Sequence, residues 1–192
     1  MCDYLSGSIL VVDCGSEKVD SIQRIVKGFG FKPDRVRLED ISRASHAGYA
    51  GVIVSGSPIL LTETAPSKYL RLLRFTASGK CPTLGICFGH QIIRLLHGAK
   101  IFRGIECRVN QTVKVLDENG LFEGLAPRLS LREDHCEGIT LPPQFLLLAT
   151  SASYAVEAMK HPDKELYGVQ FHPEASGAVG VRILENFLRL CK

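Results

Sequence analysis

Four stretches of this 192-residue chain are short and almost wholly apolar: "ILVV" at 9–12, "GVIV" at 51–54, "TLGIC" at 83–87 and "YGVQF" at 167–171. A strand that faces solvent alternates polar and apolar residues, whereas a run with no polar side is a strand covered on both faces. Each run passes within a few residues into glycine, serine or proline. Segments of helical period stand between the first three. "SEKVDSIQRIVKGFGF" places Val19, Ile22, Ile25, Val26 and Phe29 on one stripe, with Ser16 as the candidate cap. Tyr69, Leu70, Leu72, Leu73 and Phe75 form a second stripe over 66–78, opened by Pro66. "DRVRL" alternates like a strand, and "FGHQIIRLLHG" reads as a helix stopped by Gly98.

Strands and helices that take turns in this way build a parallel sheet. The second half differs: "QTVKVL", the turn "DENG", "RLSLR", "QFLLLAT", "YAVEAMKH" and "ELYGVQF" follow one another, and helical period returns only in "GAVGVRILENFLRLCK". The expected class is α/β, an open, mostly parallel, flavodoxin-like sheet with helices on both faces and added antiparallel strands in the C-terminal half. No repeat or linker divides the chain, so 1–192 reads as a single domain. A net charge of +3 with no basic stripe argues against a nucleic-acid partner. No apolar run approaches the roughly 18–20 residues of a membrane span, and the N-terminus lacks the pattern of a signal peptide. Seven cysteines at irregular spacing, without a C-x-x-C pair, point to a reducing compartment, the cytoplasm, rather than to disulfides or zinc. His46, His90, His97, His135 and His161 show no metal-ligand spacing and read mostly as surface or packing residues. No metal or other cofactor is expected.

Chemistry concentrates where the buried strands end. Cys87 stands in Gly85-Ile86-Cys87-Phe88-Gly89, between a strand and a helix. Small residues on either side let the backbone take a tight path that exposes a nucleophile, and the first N–H groups of the following helix favour a thiolate and an oxyanion. In "FHPE", Pro173 holds its neighbours extended, which would put His172 and Glu174 on the same side as a base and its orienting carboxylate. Ser55-Gly56-Ser57-Pro58 follows another buried strand and offers backbone N–H groups at the same sheet edge.

The order S-G-x-P, then G-I-C-F-G-H-Q, then F-H-P-E resembles that of the class I, triad-type glutamine amidotransferases over nearly the whole chain. Within that family the "GICFGHQIIRLLHGAKI" segment and the closing "ILENFLRLC" look most like the glutaminase of GMP synthases. The resemblance implies a glutaminase with catalytic Cys87, His172 and Glu174, passing through a thioester. It implies an oxyanion hole of backbone N–H groups around Gly56, Ser57 and Phe88. Gln91 matches the family's substrate-contacting glutamine, and Asp134 and His135 fall in "EDHCEGITLPP", similar to the segment that holds the amino-acid end of L-glutamine. No Walker-type phosphate loop is present, so the ammonia would go to a separate ATP-dependent synthetase, such as the XMP-amidating subunit of GMP synthase.

Several positions depart from the family pattern. Ser57 stands where glycine precedes the proline, Asp134 and Glu137 replace a serine and an aspartate, "GIECRV" around Glu106 replaces R-E-Y-G, and Ala175-Ser176-Gly177-Ala178 follows Glu174 in place of V-x-H-T. An altered pocket keeps two other readings in play, a γ-glutamyl peptidase or hydrolase with the same triad and a non-catalytic regulatory domain of this fold. The intact triad argues against the latter.

Overall fold

The structure is a computed structural model that describes residues 7–42, 47–118 and 120–191; Cys2, His46 and Asn119 of the "DENG" turn lie outside them. In chain order the described elements are β1 (Ser8–Asp13), α1 (Val19–Gly28), β2 (Lys32–Arg37), β3 (Gly51–Val54), α2 (Ser67–Leu73), β4 (Thr83–Ile86) and α3 (Phe88–Leu96). Then follow β5 (Ile101–Cys107), β6 (Asn110–Val115), β7 (Arg128–Arg132), β8 (His135–Ile139), β9 (Leu146–Ser151), β10 (Ala158–Lys160), β11 (Leu166–Val169) and α4 (Gly177–Leu190).

The all-apolar runs become the central strands because both their faces are covered. In β1, Ile9 and Val11 pack with Val19, Ile22 and Val26 of α1 and Ile183, Leu184 and Phe187 of α4. Leu10 and Val12 point the other way, to Leu73 of α2 and Phe88 and Ile92 of α3. Each such side chain, fully buried, contributes about 1.5–3 kcal/mol of hydrophobic stabilisation. Helices therefore lie on both faces, as the pattern predicts.

The large sheet runs β2-β1-β3-β4-β11-β10-β9-β6-β7. Its first five strands are mutually parallel, and from β11 outward every pairing is antiparallel. β5 and β8 pair with each other in a second, two-stranded sheet. Because β1, β3, β4 and β11 run in one direction, their carboxyl ends share one edge of the sheet, where open α/β folds place their ligands. β11 lies beside β4 with Val169 opposite Ile86, and the Cys87 N–H donates to the Val169 carbonyl at 2.8 Å.

At the start of α1 a local expectation fails. α1 begins at Val19 with Lys18 at its cap position, and Ser16 makes no helix cap. The Ser16 hydroxyl instead accepts from the Lys18 N–H at 3.2 Å, a local turn that competes with capping.

Candidate active site

Cys87 follows β4 immediately and caps α3 with φ 51° and ψ −105°. Among the described residues it is the one non-glycine with positive φ. Such a backbone costs on the order of 1–3 kcal/mol and persists only where its surroundings enforce it. Here the flanking glycines do so. A Cβ on Gly85 would lie 2.5 Å from the Gly89 carbonyl carbon, and one on Gly89 would meet the Val54 carbonyl oxygen of β3. With no side chain at either position, helix and sheet close on one another and the cysteine is turned into the cleft.

His172 and Glu174 arrive from the end of β11. His172 is extended, as a residue before proline should be, but the expected extended path through Glu174 is not found: Pro173–Ala175 form one 3₁₀ turn. The fixed φ of proline suits a first helical turn as well as a strand. The turn brings Glu174 Oε1 to 2.7 Å from His172 Nδ1. Cys87 lies beside the same ring, close enough that a Cβ on Gly56 would touch both side chains. Burial would lower the His172 pKa, but the neighbouring Cys87 and Glu174 outweigh it and raise the group to about 10. The imidazole is thus held in its protonated form at neutral pH. Ser176, one of the departures after Glu174, fastens this turn: its hydroxyl donates to the His172 carbonyl at 2.7 Å and accepts from the Arg132 N–H at 2.9 Å.

Cys87 and His172 open into a cavity of about 320 Å³, sized for a small amino-acid-like molecule. Ser57, Phe88, Gln91, Asp134 and His135 line the same cavity. Gly56 borders it, where a Cβ would come within 2.9 Å of the His172 ring. The residues expected from the sequence therefore meet at one place. The pocket wall is β8, held through Glu137: its carboxylate accepts from the N–H groups of Leu61 at 3.0 Å and Thr62 at 2.6 Å and from the Thr62 hydroxyl at 2.6 Å. This longer replacement for aspartate ties β8 to the loop after β3. Its carbonyl takes hydrogen bonds from the Gln91 amide at 3.4 Å and from His135 Nδ1 at 3.0 Å.

The mouth carries two cations that no motif announces. Lys18 Nζ and Arg108 Nη1 flank the Asp134 carboxylate at 2.6 and 2.7 Å. Burial alone would raise the Asp134 pKa, but the Lys18 hydrogen bond and the nearby positive charges hold it below the usual carboxylate value. Arg108 also binds Glu106, which is exposed. Nothing in the spacing of residues 18, 108 and 134 signals their meeting; only the packing of the β5–β8 pair over the sheet edge produces it.

Likeness to known proteins agrees with this geometry. The family model for glutamine amidotransferase class-I matches residues 10–191. The chain is 36% identical over 190 residues to the glutamine-hydrolysing GMP synthase subunit of Pyrococcus abyssi, covering 95% of this chain and 98% of that protein. It is 35% identical to the corresponding glutamine-hydrolysing subunit from Methanocaldococcus jannaschii, covering 95% and 97%. Among solved structures, a glutamine amidotransferase from Thermotoga maritima superimposes with a TM-score of 0.75 at 21% identity, over 93% of this chain and 81% of that one, a likeness of fold.

Proposed function

The chain belongs to the class I glutamine amidotransferase family, and from that premise we propose that it hydrolyses L-glutamine to glutamate and ammonia and delivers the ammonia to a separate ATP-dependent synthetase. The observation that carries this reading is the strained Cys87 beside a buried His172, itself held by Glu174 at 2.7 Å. The Cys87 sulfur attacks the side-chain amide carbon of glutamine, and the carbonyl oxygen takes the negative charge. The Phe88 and Ser57 N–H groups are the proposed donors to that oxyanion. A protonated His172 is already the acid that the departing nitrogen needs. It gives up its proton, the C–N bond breaks, and ammonia leaves a thioester on Cys87. Neutral His172 then takes a proton from water, hydroxide adds to the thioester, and glutamate is released with the sulfur regenerated. One glutamine and one water become one glutamate and one ammonia.

The relatives named as glutamine-hydrolysing subunits of GMP synthase support a partner that amidates XMP. The described cysteines are all unpaired, which supports a reducing compartment, the cytoplasm. No helix among the described residues is long and apolar enough to cross a membrane.

The test is glutamate release from L-glutamine by the purified protein, alone and with an XMP-dependent synthetase, beside Cys87→Ala. We expect the variant to lose at least about 10³-fold in rate. Turnover of γ-glutamyl peptides with glutamine ignored would reassign the site to a hydrolase. No turnover with either substrate, synthetase present, would sink the catalytic reading.

A further inference from the structure

The base of the triad is tethered by a hydroxyl that no step of the reaction uses. β7 is the outermost strand of the large sheet, separated from β11 by β10, β9 and β6. Its last residue, Arg132, nevertheless reaches the chain just beyond β11, where the His172 N–H donates to the Arg132 carbonyl at 2.8 Å. In a hydrogen-bonded antiparallel pair, the reciprocal bond would run directly from the Arg132 N–H to the His172 carbonyl. Here that bond is divided by the Ser176 side chain. The Arg132 N–H donates to the Ser176 hydroxyl at 2.9 Å, and the same hydroxyl donates to the His172 carbonyl at 2.7 Å. All four backbone groups of the two residues are thereby engaged.

The inserted oxygen is a spacer as well as a tether, because a direct bond would require the two segments to close by the width of a hydroxyl. α4 holds the serine as well. The Gly180 N–H donates to the Ser176 carbonyl at 3.4 Å. A Cβ on Gly180 would lie 2.8 Å from the Ser176 Cβ and only 1.9 Å from the Pro173 carbonyl oxygen, so the first turn of the helix seats directly against the Pro173 turn. The His172 backbone is therefore fixed at both its N–H and its carbonyl, and the imidazole, with Glu174 at 2.7 Å, projects from that base. Neither Arg132 nor Ser176 lines the cavity. Ser176 also falls on the x of V-x-H-T, a position to which the family pattern gives no residue type.

Resting on the glutaminase reading, we propose that Ser176 is a positioning residue for the catalytic base: its hydroxyl, set between Arg132 and His172, fixes how far His172 stands from β7 and so where the imidazole meets Cys87. Without the hydroxyl, either the Arg132 N–H turns to water or the two segments close on one another. In both cases the ring loses its set place beside the sulfur. Proton transfer depends steeply on that placement. The wall that faces the nucleophile is built from β8 and is not touched, so substrate binding is spared.

The experiment is KM and kcat for L-glutamine in the native protein, Ser176→Ala, Ser176→Thr and Ser176→Val. Threonine keeps the hydroxyl, and valine copies the shape of threonine without it. Ser176→Ala and Ser176→Val should lower kcat by roughly 10-fold or more with KM within about 2-fold of native, and Ser176→Thr should stay within about 3-fold in both. A kcat for Ser176→Ala within about 2-fold of native overturns the proposal. So does a Ser176→Thr as slow as an impaired Ser176→Val, because the hydroxyl would then not be the determinant. A KM that rises while kcat holds overturns it as well, since the serine would then act on substrate binding. Nitrogen NMR of the His172 ring needs no turnover. An Nδ1–H signal shifted or broadened in Ser176→Ala and Ser176→Val, but native in Ser176→Thr, supports the tether even if the glutaminase reading fails. A signal indifferent to all three substitutions defeats it.

Discussion

The elbow that carries Cys87 and the wall that faces it are built by different physics. At the elbow the determinants are steric and local. Two glycines four residues apart, one strand and one helix force a backbone that cysteine would not choose alone. The wall is electrostatic and dispersed: Lys18, Arg108 and the Asp134–Glu137 stretch come from three separate segments, joined to one another and to the loop after β3 through ion pairs and charge-assisted hydrogen bonds. A steric device admits almost no substitution, because backbone cannot move aside. An ion-pair network can lose a member and be partly replaced by water.

The contrast is sharpest in Gly89→Ala. The added methyl meets the Val54 carbonyl of a central strand, so we expect a loss of about 1–3 kcal/mol in thermal unfolding and a fall in glutaminase rate of roughly 10²-fold from displacement of the sulfur. Activity within a few fold of native would show that the elbow yields, and the distinction would collapse.

Glu174→Ala should come next, lowering kcat/KM by roughly 10²-fold or more. The carboxylate is one of the groups that raise His172, so its removal moves the alkaline limb of the kcat/KM profile to lower pH. The sign extends to stability. His172 has its folded pKa, about 10, above the ordinary histidine value of 6.5, so its contribution is full below 6.5 and is lost as pH rises through 10. Melting temperatures across that window should fall more steeply in the native protein than in Glu174→Ala.

Lys18→Met tests the wall and should do least. Lys18 and its partner Asp134 are about a quarter exposed, so we expect a KM change of about 2–5-fold that shrinks with added salt, and an unchanged kcat. A larger loss here than in Glu174→Ala would invert the ranking of the two regions.

Legibility in the sequence follows the same division. Cys87, His172 and Glu174 can be read because each stands in a short motif whose residue types have few other uses together, and the buried strands can be read because their periodicity is local. The 3₁₀ turn at Pro173 is not legible, because proline's fixed φ serves both an extended chain and a helical start. Ser16 has the look of a cap, yet a serine before a helix can turn onto its own segment instead. Lys18, Arg108 and the fully buried Glu133 and Glu157 carry no signal, since a lone charged residue reads as solvated surface until distant strands enclose it. Resemblance puts His135 in the pocket, but its contact with Glu133 belongs to the tertiary structure.

The neighbouring positions of β4 and β11 also give the protein a timetable. The nucleophile is synthesised well before its base, and they meet only when residues 166–169 enter the sheet beside residues 83–86. Closing so long a loop must await the strands that flank it. A growing chain on the ribosome therefore holds a cysteine with no partner to activate it, and glutamine is safe from it until β11 docks.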